Sequence, residues 1–323
     1  MPHVTFIHGI GNKPAAQILS RDWLRTLAGY DLDLDAQGVS TSFVYWADVL
    51  YPAPVAAEAG YESAAAAEDD RVEDIGMRWM LEAEGEEAEF LARLAADIGF
   101  RELATDDLLP PGPAEAQELG SAETPGLKGF ERVPLPWWLK RRLMKIYLRD
   151  VHHYLFNAES CPRSGEVFKV QDVIRERVCQ ALAAGSAEPP PHVLVTHSMG
   201  TVIAYDCLKR VEACPAVDGL MTIGSPLGLD EIQDKLKPQW SRADGYPAER
   251  LGGRWVNIYD PLDPVAGFDP RLANDYKRRG ALAVEDILEK NWGTWRHDIA
   301  KYFKGHELRT RLAELLELPV PAA

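Results

Sequence analysis

The chain is sparing with cysteine: Cys161, Cys179, Cys207 and Cys214 are the four it has, with no CxxC pair and no metal-ligand spacing among them. That pattern disfavours a zinc site and a disulfide framework, and predicts reduced, mostly buried thiols in a cytoplasmic protein. No run of about 18 apolar residues occurs, so no membrane-spanning helix is expected. Behind Met1-Pro2-His3 there is no basic head, apolar stretch or cleavage site, and so no secretory leader is predicted. Positive charge is also in short supply. Lys and Arg number 35 against 50 Asp and Glu, a formal net charge of −15. A surface of that sign disfavours nucleic acid as a partner, because phosphate binding draws on Lys and Arg.

What is present is an ordinary globular balance. Over 323 residues, 46% are hydrophobic and 26% charged, enough apolar material for a sizeable core. The charge is unevenly placed. Residues 58–123 carry 19 acidic and 4 basic side chains, so this window accounts for the whole net charge. Residues 52–136 are Ala- and Glu-rich, with helical spacing near 75–98, a Pro/Gly-rich piece near 110–125 and no strand pattern. They are expected to form a helical, acidic insertion, a possible cap, in a core made of residues 1–51 and 137–323. Residues 136–156 predict a helix in which Lys140, Arg141, Arg142, Lys145 and Arg149 stand beside Trp137 and Trp138. That helix either touches an anionic membrane surface or packs its tryptophans inward and pairs its cations with the insertion. The second is favoured, because the neighbouring negative charge repels anionic lipid. His152 and His153 are adjacent on it and face different ways, which disfavours a metal site there.

Outside the insertion, strands and helices alternate. Strands are predicted at 4–7, 40–46, 192–196, 219–223, 254–259 and 281–289. Helices are predicted at 17–28, 167–184, 199–211 and 306–316. Nearly continuous apolar strands separated by helices mean an α/β fold: a mostly parallel sheet with helices on both faces and ligands at the carboxyl ends of the strands.

Those ends carry the chemistry. HGIG, residues 8–11, follows the first strand, and THSMG, residues 196–200, joins a strand to a helix. A serine at the middle of such a tight turn is presented at the tip of the sheet, and its small neighbour Gly200 lets the helix pack close. The N–H of Met199 begins the helix and suits a developing oxyanion. The N–H of Ile10, in a turn whose glycines Gly9 and Gly11 let the backbone approach a substrate, is the candidate second donor. His8 is expected to support that turn rather than react. Downstream stand Asp260, Asp263 and Asp269, then His297 and His306, so a nucleophile, an acid and a base follow in the order Ser, Asp, His. The competing role for Ser198 is a plain helix N-cap, and for each aspartate a turn cap. Ser225 of GSP is expected to shape the pocket wall.

With HGIG, THSMG, GSP at 224–226, DPLDPV at 260–265 and RHDIAKYF at 296–303, the chain resembles the α/β-hydrolase superfamily, in particular its bacterial lipase- and esterase-like serine hydrolases. Thr196 stands where the family's GxSxG pattern has its first glycine. The resemblance implies Ser198 as nucleophile, His297 as general base and then acid, and Asp263 as the residue orienting the imidazole, with Asp260 and His306 as runners-up. It implies cleavage of a carboxylic ester of a small or lipid-like acyl substrate, with no metal and no organic cofactor. A thioesterase, amidase, peptidase or acyltransferase would use the same residues, and a binding module on a hydrolase scaffold is the rival from another class. Oligomeric state is left open.

Overall fold

The computed structural model describes residues 1–56, 83–97, 137–266, 269–292 and 296–321, without the side chains of 95–97 and 137–145. In chain order the elements are β1 (His3–Ile7), α1 (Ala16–Ala28), β2 (Ser40–Val44), α2 (Gly85–Asp97), α3 (Trp137–Leu155), β3 (Glu159–Arg163), β4 (Glu166–Lys169) and α4 (Val170–Gly185). They continue with β5 (His192–His197), α5 (Met199–Arg210), β6 (Gly219–Ile223), α6 (Asp230–Leu236), β7 (Trp255–Tyr259), β8 (Val284–Leu288), α7 (Ile299–Lys304) and α8 (His306–Leu315).

Six strands form one sheet in the order β2-β1-β5-β6-β7-β8, and every pairing is parallel. β1, β5, β6 and β7 are buried at every residue, as near-continuous apolar runs require when both faces are covered. Alternate side chains divide between two cores. Val4, Phe6, Val193, Val195, Met221, Ile223, Val256 and Ile258 meet Leu19 and Trp23 of α1, Tyr302 and Phe303 of α7, and Leu308 and Leu312 of α8. Ile7, Leu194, Leu220 and Trp255 point to the other face, against α3, α4 and α5. The chain leaves β1 over one face towards β2, and leaves β5 over the opposite face towards β6. The sheet's topological switch point therefore lies between β1 and β5, where open α/β sheets place their ligands.

Several boundaries differ from the sequence reading. The helix expected at 167–184 begins at Val170. Residues 166–169 instead pair with β3 in an antiparallel hairpin, turned at Gly165, whose φ is +82°. The strand expected over 40–46 stops at Val44, because Trp46 leads into a short 3-10 turn, Ala47–Val49. The strand expected over 281–289 begins at Val284, after a tight turn in which Arg279 and Gly280 both have positive φ. The short helices α6 and α7 were not read from the sequence. Within 52–136, helix α2 buries Phe90, Leu91 and Leu94 in the same core as Tyr147, Leu148 and Val151 of α3. Apart from residues 52–56 and 83–84, the remainder of that segment lies outside the described residues. So do the side chains of Trp137, Trp138, Lys140, Arg141, Arg142 and Lys145. Among the described residues no helix is long and apolar enough to cross a membrane.

Candidate active site

Ser198 sits between β5 and α5 with φ 54° and ψ −127°. A residue with a side chain held at such angles carries roughly 1–3 kcal/mol of strain, so its surroundings must over-determine it. They do. Its N–H donates to the Ile223 carbonyl (2.9 Å), and its own carbonyl accepts from the N–H and the Oγ1 hydroxyl of Thr201 (2.9 and 2.7 Å). Gly200 is required by close approach: a Cβ there would lie 2.7 Å from the carbonyl oxygens of both Ile7 and His8. Thr196, where the GxSxG pattern has its first glycine, lies on the strand, and its hydroxyl donates to the Met221 carbonyl (3.0 Å). The N-cap reading fails, since the Ser198 side chain makes no capping hydrogen bond. One expectation is corrected. The Ser198 hydroxyl, expected to be presented at the tip of the sheet, is buried, and among the described residues it has no hydrogen-bond partner.

The aspartates separate cleanly. His297 donates from Nδ1 to both carboxylate oxygens of Asp263 (2.9 and 2.8 Å). Asp263 also accepts from the N–H groups of Val265 (2.8 Å) and Ala266 (3.1 Å) and from the Tyr302 hydroxyl (2.7 Å). Burial alone would raise the Asp263 pKa; attraction to His297 and the bonds from His297, Tyr302 and Val265 outweigh it and hold the carboxyl below its ordinary range. Asp260 serves the backbone instead, accepting from Leu262 (2.8 Å), Asn291 (2.8 Å) and the Arg296 guanidinium (3.2 Å). Asp269 lies against Gly228, and burial beside Asp275 and Asp230 lifts its pKa to about 6. His306 opens α8, its Nε2 3.4 Å from the Thr310 hydroxyl. Among the described residues, neither the Asp260 carboxylate nor the His306 ring is bonded to the Asp263 or His297 side chain.

Three contacts bring that pair and Ser198 to one strand-end cluster. The ring of His197, the residue before Ser198, packs on the His297 ring at 4.6 Å, and its Nε2–H donates to the His297 carbonyl (2.9 Å). A Cβ on Gly224, just past Ile223, would lie 2.9 Å from Asp263 Oδ2 and 3.2 Å from the His297 ring. A Cβ on Gly9 would lie 2.6 Å from the Ser198 Cβ and 3.1 Å from His197 Nδ1.

His8 is held at both ring nitrogens. Its Nε2 accepts from the Trp46 N–H (3.0 Å) and its ring stacks on the Trp46 ring at 4.8 Å. The acceptor role of Nε2 puts the proton on Nδ1, which donates to the Gly9 carbonyl (2.8 Å). Burial, and then the charge of Lys13, push the His8 pKa well below its ordinary value, which keeps this neutral tautomer. A trans peptide points its C=O and N–H in opposite directions, so the grip on Gly9 O turns the Ile10 N–H away from the His8 ring. Among the described residues no acceptor is bonded to the N–H of Ile10 or of Met199. Ser225 Oγ lies 2.8 Å from the Thr201 hydroxyl and accepts from the Leu227 N–H (3.2 Å). His152 and His153 lie against each other, and His152 Nε2 is 3.4 Å from Glu87 of α2. Among the described residues no group of three or more His, Cys, Asp or Glu is placed to hold a metal ion.

Sequence reasoning missed two residues that touch this cluster. Tyr302 was read only as an aromatic after His297, and its position five residues on, one turn into α7, was the available signal. His197 was read only as a neighbour of the serine, although a histidine on a fully buried strand end needs a hydrogen-bond partner. A scan against models of protein families finds no match, and no curated protein is found to be similar to the chain.

Proposed function

We propose that the chain is a serine hydrolase of the α/β-hydrolase type that cleaves a carboxylic ester through an acyl-enzyme. The observation that carries this reading is the buried Asp263–His297 pair, packed through His197 against a serine held at positive φ. With Asp263 holding the proton on Nδ1, the Nε2 of His297 presents a lone pair, the tautomer a general base requires. Ser198 Oγ attacks the ester carbonyl while His297 Nε2 takes its proton, and the carbonyl oxygen becomes an oxyanion facing the N–H groups of Ile10 and Met199. Collapse breaks the bond to the alcohol, which leaves with the proton from His297. Water, deprotonated by His297, then attacks the acyl-enzyme and returns free acid and Ser198. The buried setting of Ser198, Asp263 and His297 lowers the local dielectric and strengthens each of these interactions. The residues in hand use no metal and no organic cofactor for this sequence.

Hydrolysis of p-nitrophenyl esters of increasing acyl length tests the proposal. The wild type is expected to show a length optimum, and Ser198→Ala to lose about 10³-fold or more in kcat/KM. A folded wild type with no activity at any length contradicts ester cleavage and returns the binding-module reading.

A further inference from the structure

An oxyanion hole works only if its peptide groups face the right way, and a peptide that flips turns a donor into an obstruction. The loop after β1 carries an arrangement that bears on this, built from groups the proposed chemistry does not use. Lys13 is 3% exposed, and its ammonium donates to the Ile10 carbonyl (2.7 Å). Asp150 of α3 is fully buried, and its Oδ2 accepts from the Gly11 N–H (2.8 Å). These are the two ends of one peptide unit, Ile10–Gly11. Its carbonyl faces a cation and its N–H faces an anion. A flip would aim the carbonyl at the carboxylate and the N–H at the ammonium, unfavourable at both ends in a site of low dielectric.

Both clamps are themselves anchored. Asp150 Oδ1 is held by Nε and Nη2 of Arg149 (3.0 and 2.7 Å), the Tyr51 hydroxyl lies 3.2 Å from Oδ2, and the Arg149 guanidinium sits 4.4 Å over the Tyr51 ring. On the other side, the Lys13 carbonyl accepts from the Val55 N–H (3.0 Å), and Asn12 Nδ2 donates to the Ala53 carbonyl (2.9 Å). The loop is therefore fastened to the chain just after β2 and to α3, far apart in sequence. Together with His8 on Gly9, two successive peptide units are oriented by side chains: the Ile10 N–H belongs to the first, and the lock on the second fixes the backbone of Ile10 on its other side, so that the first cannot turn freely about the Ile10 Cα.

From this geometry we propose that Lys13 and Asp150 are positioning residues that lock the Ile10–Gly11 peptide and so preorganise the oxyanion donor of Ile10. The inference rests on the reading of Ser198 as a nucleophile, but the clamp can be measured without any turnover. Amide exchange over residues 7–14 is compared in wild type, Lys13→Met, Lys13→Arg and Asp150→Asn. A thermal melt of each confirms folding, since Asp150→Asn also unbalances Arg149. Exchange at Gly11 is expected to be at least about tenfold faster in Lys13→Met and near wild type in Lys13→Arg. Ester turnover supplies the second readout. For Lys13→Met, kcat is expected to fall about 10- to 100-fold with KM within about twofold and the acid limb of the pH profile unmoved, and Lys13→Arg is expected to recover most of it. Unchanged exchange in folded Lys13→Met overturns the clamp whatever the activity does. Faster exchange with unchanged kcat in an active wild type overturns its role in preorganisation. A wild type without esterase activity speaks against the proposed function and leaves the exchange result to decide the clamp.

Discussion

Ser198 and Tyr302 show what single residues contribute. The strained turn of Ser198 is legible in the sequence because only a special site requires a serine between a buried strand and a helix with glycine two places on. Asp263 and His297 were legible as types in the right order, while the choice between Asp260 and Asp263 rested on resemblance until the carboxylates could be seen to serve different partners. Tyr302 was not legible as a partner, because an aromatic at the start of a helix packs as core in most folds, and here it does both: its ring is buried with Phe303 while its hydroxyl reaches Asp263. Replacing it with Phe removes a charge-assisted hydrogen bond, commonly about 1.5–3 kcal/mol. Steady-state kinetics of Tyr302→Phe are expected to show kcat/KM lower by about 10- to 100-fold with folding retained. The bond also lowers the Asp263 pKa, so its loss is expected to move acid inactivation to higher pH. Gly9→Ala is a sharper case. The new methyl would sit 2.6 Å from the Ser198 Cβ, so the loop or the serine must shift. Overpacking of this kind costs about 1–3 kcal/mol, and a melt and an ester assay are expected to show a modest loss of stability with a much larger loss of turnover.

The elements are held in register by buried ions as well as by apolar faces. Asp206 of α5 is fully buried and accepts from the Tyr154 hydroxyl of α3 (2.7 Å), from Arg175 of α4 (2.7 and 2.8 Å) and from Arg210 one turn on (3.0 Å). Removing one member of such a network strands the others, which commonly costs about 3–5 kcal/mol. Chemical denaturation of Asp206→Ala is expected to show a loss in that range, larger than for Lys237→Ala, whose contact with Asp234 is exposed. These links explain what sequence reading recovers at this scale. Apolar runs and helical spacing predict β1, β5, β6, β7, α5 and α8, because periodicity is local. The β3–β4 hairpin escaped because it is short and mostly exposed, and so lacks an alternating apolar face. The partnership of Gly11 with Asp150 escaped because it joins residues 139 apart and involves a lone acid on a basic helix.

At the scale of the whole molecule, the sheet brings residues that follow β1, β5, β6 and β7 to the carboxyl end of its strands, and the opposite end holds a second buried polar cluster. There His192 Nε2 lies 2.9 Å from the Thr5 hydroxyl, and the His192 ring meets the His3 ring at 4.9 Å. Burial, and then the nearby His3, lower the His192 pKa from 6.5 to about 4, so the folded protein keeps it neutral where the unfolded chain would protonate it. Its contribution to stability is therefore complete above about pH 6.5 and is lost as the pH falls through about 4. Urea midpoints measured from pH 8 to 4 are expected to decline over that window, and the decline is expected to be shallower in His192→Gln. The functional claim turns on the other end of the sheet, and its most direct test is covalent. Incubation of the folded protein with a fluorophosphonate, followed by peptide mass spectrometry, is predicted to place one label on Ser198. Labelling is predicted to be abolished by Ser198→Ala and strongly slowed by His297→Ala. A folded wild type that stays unlabelled, or that carries its label on another residue, would contradict the account.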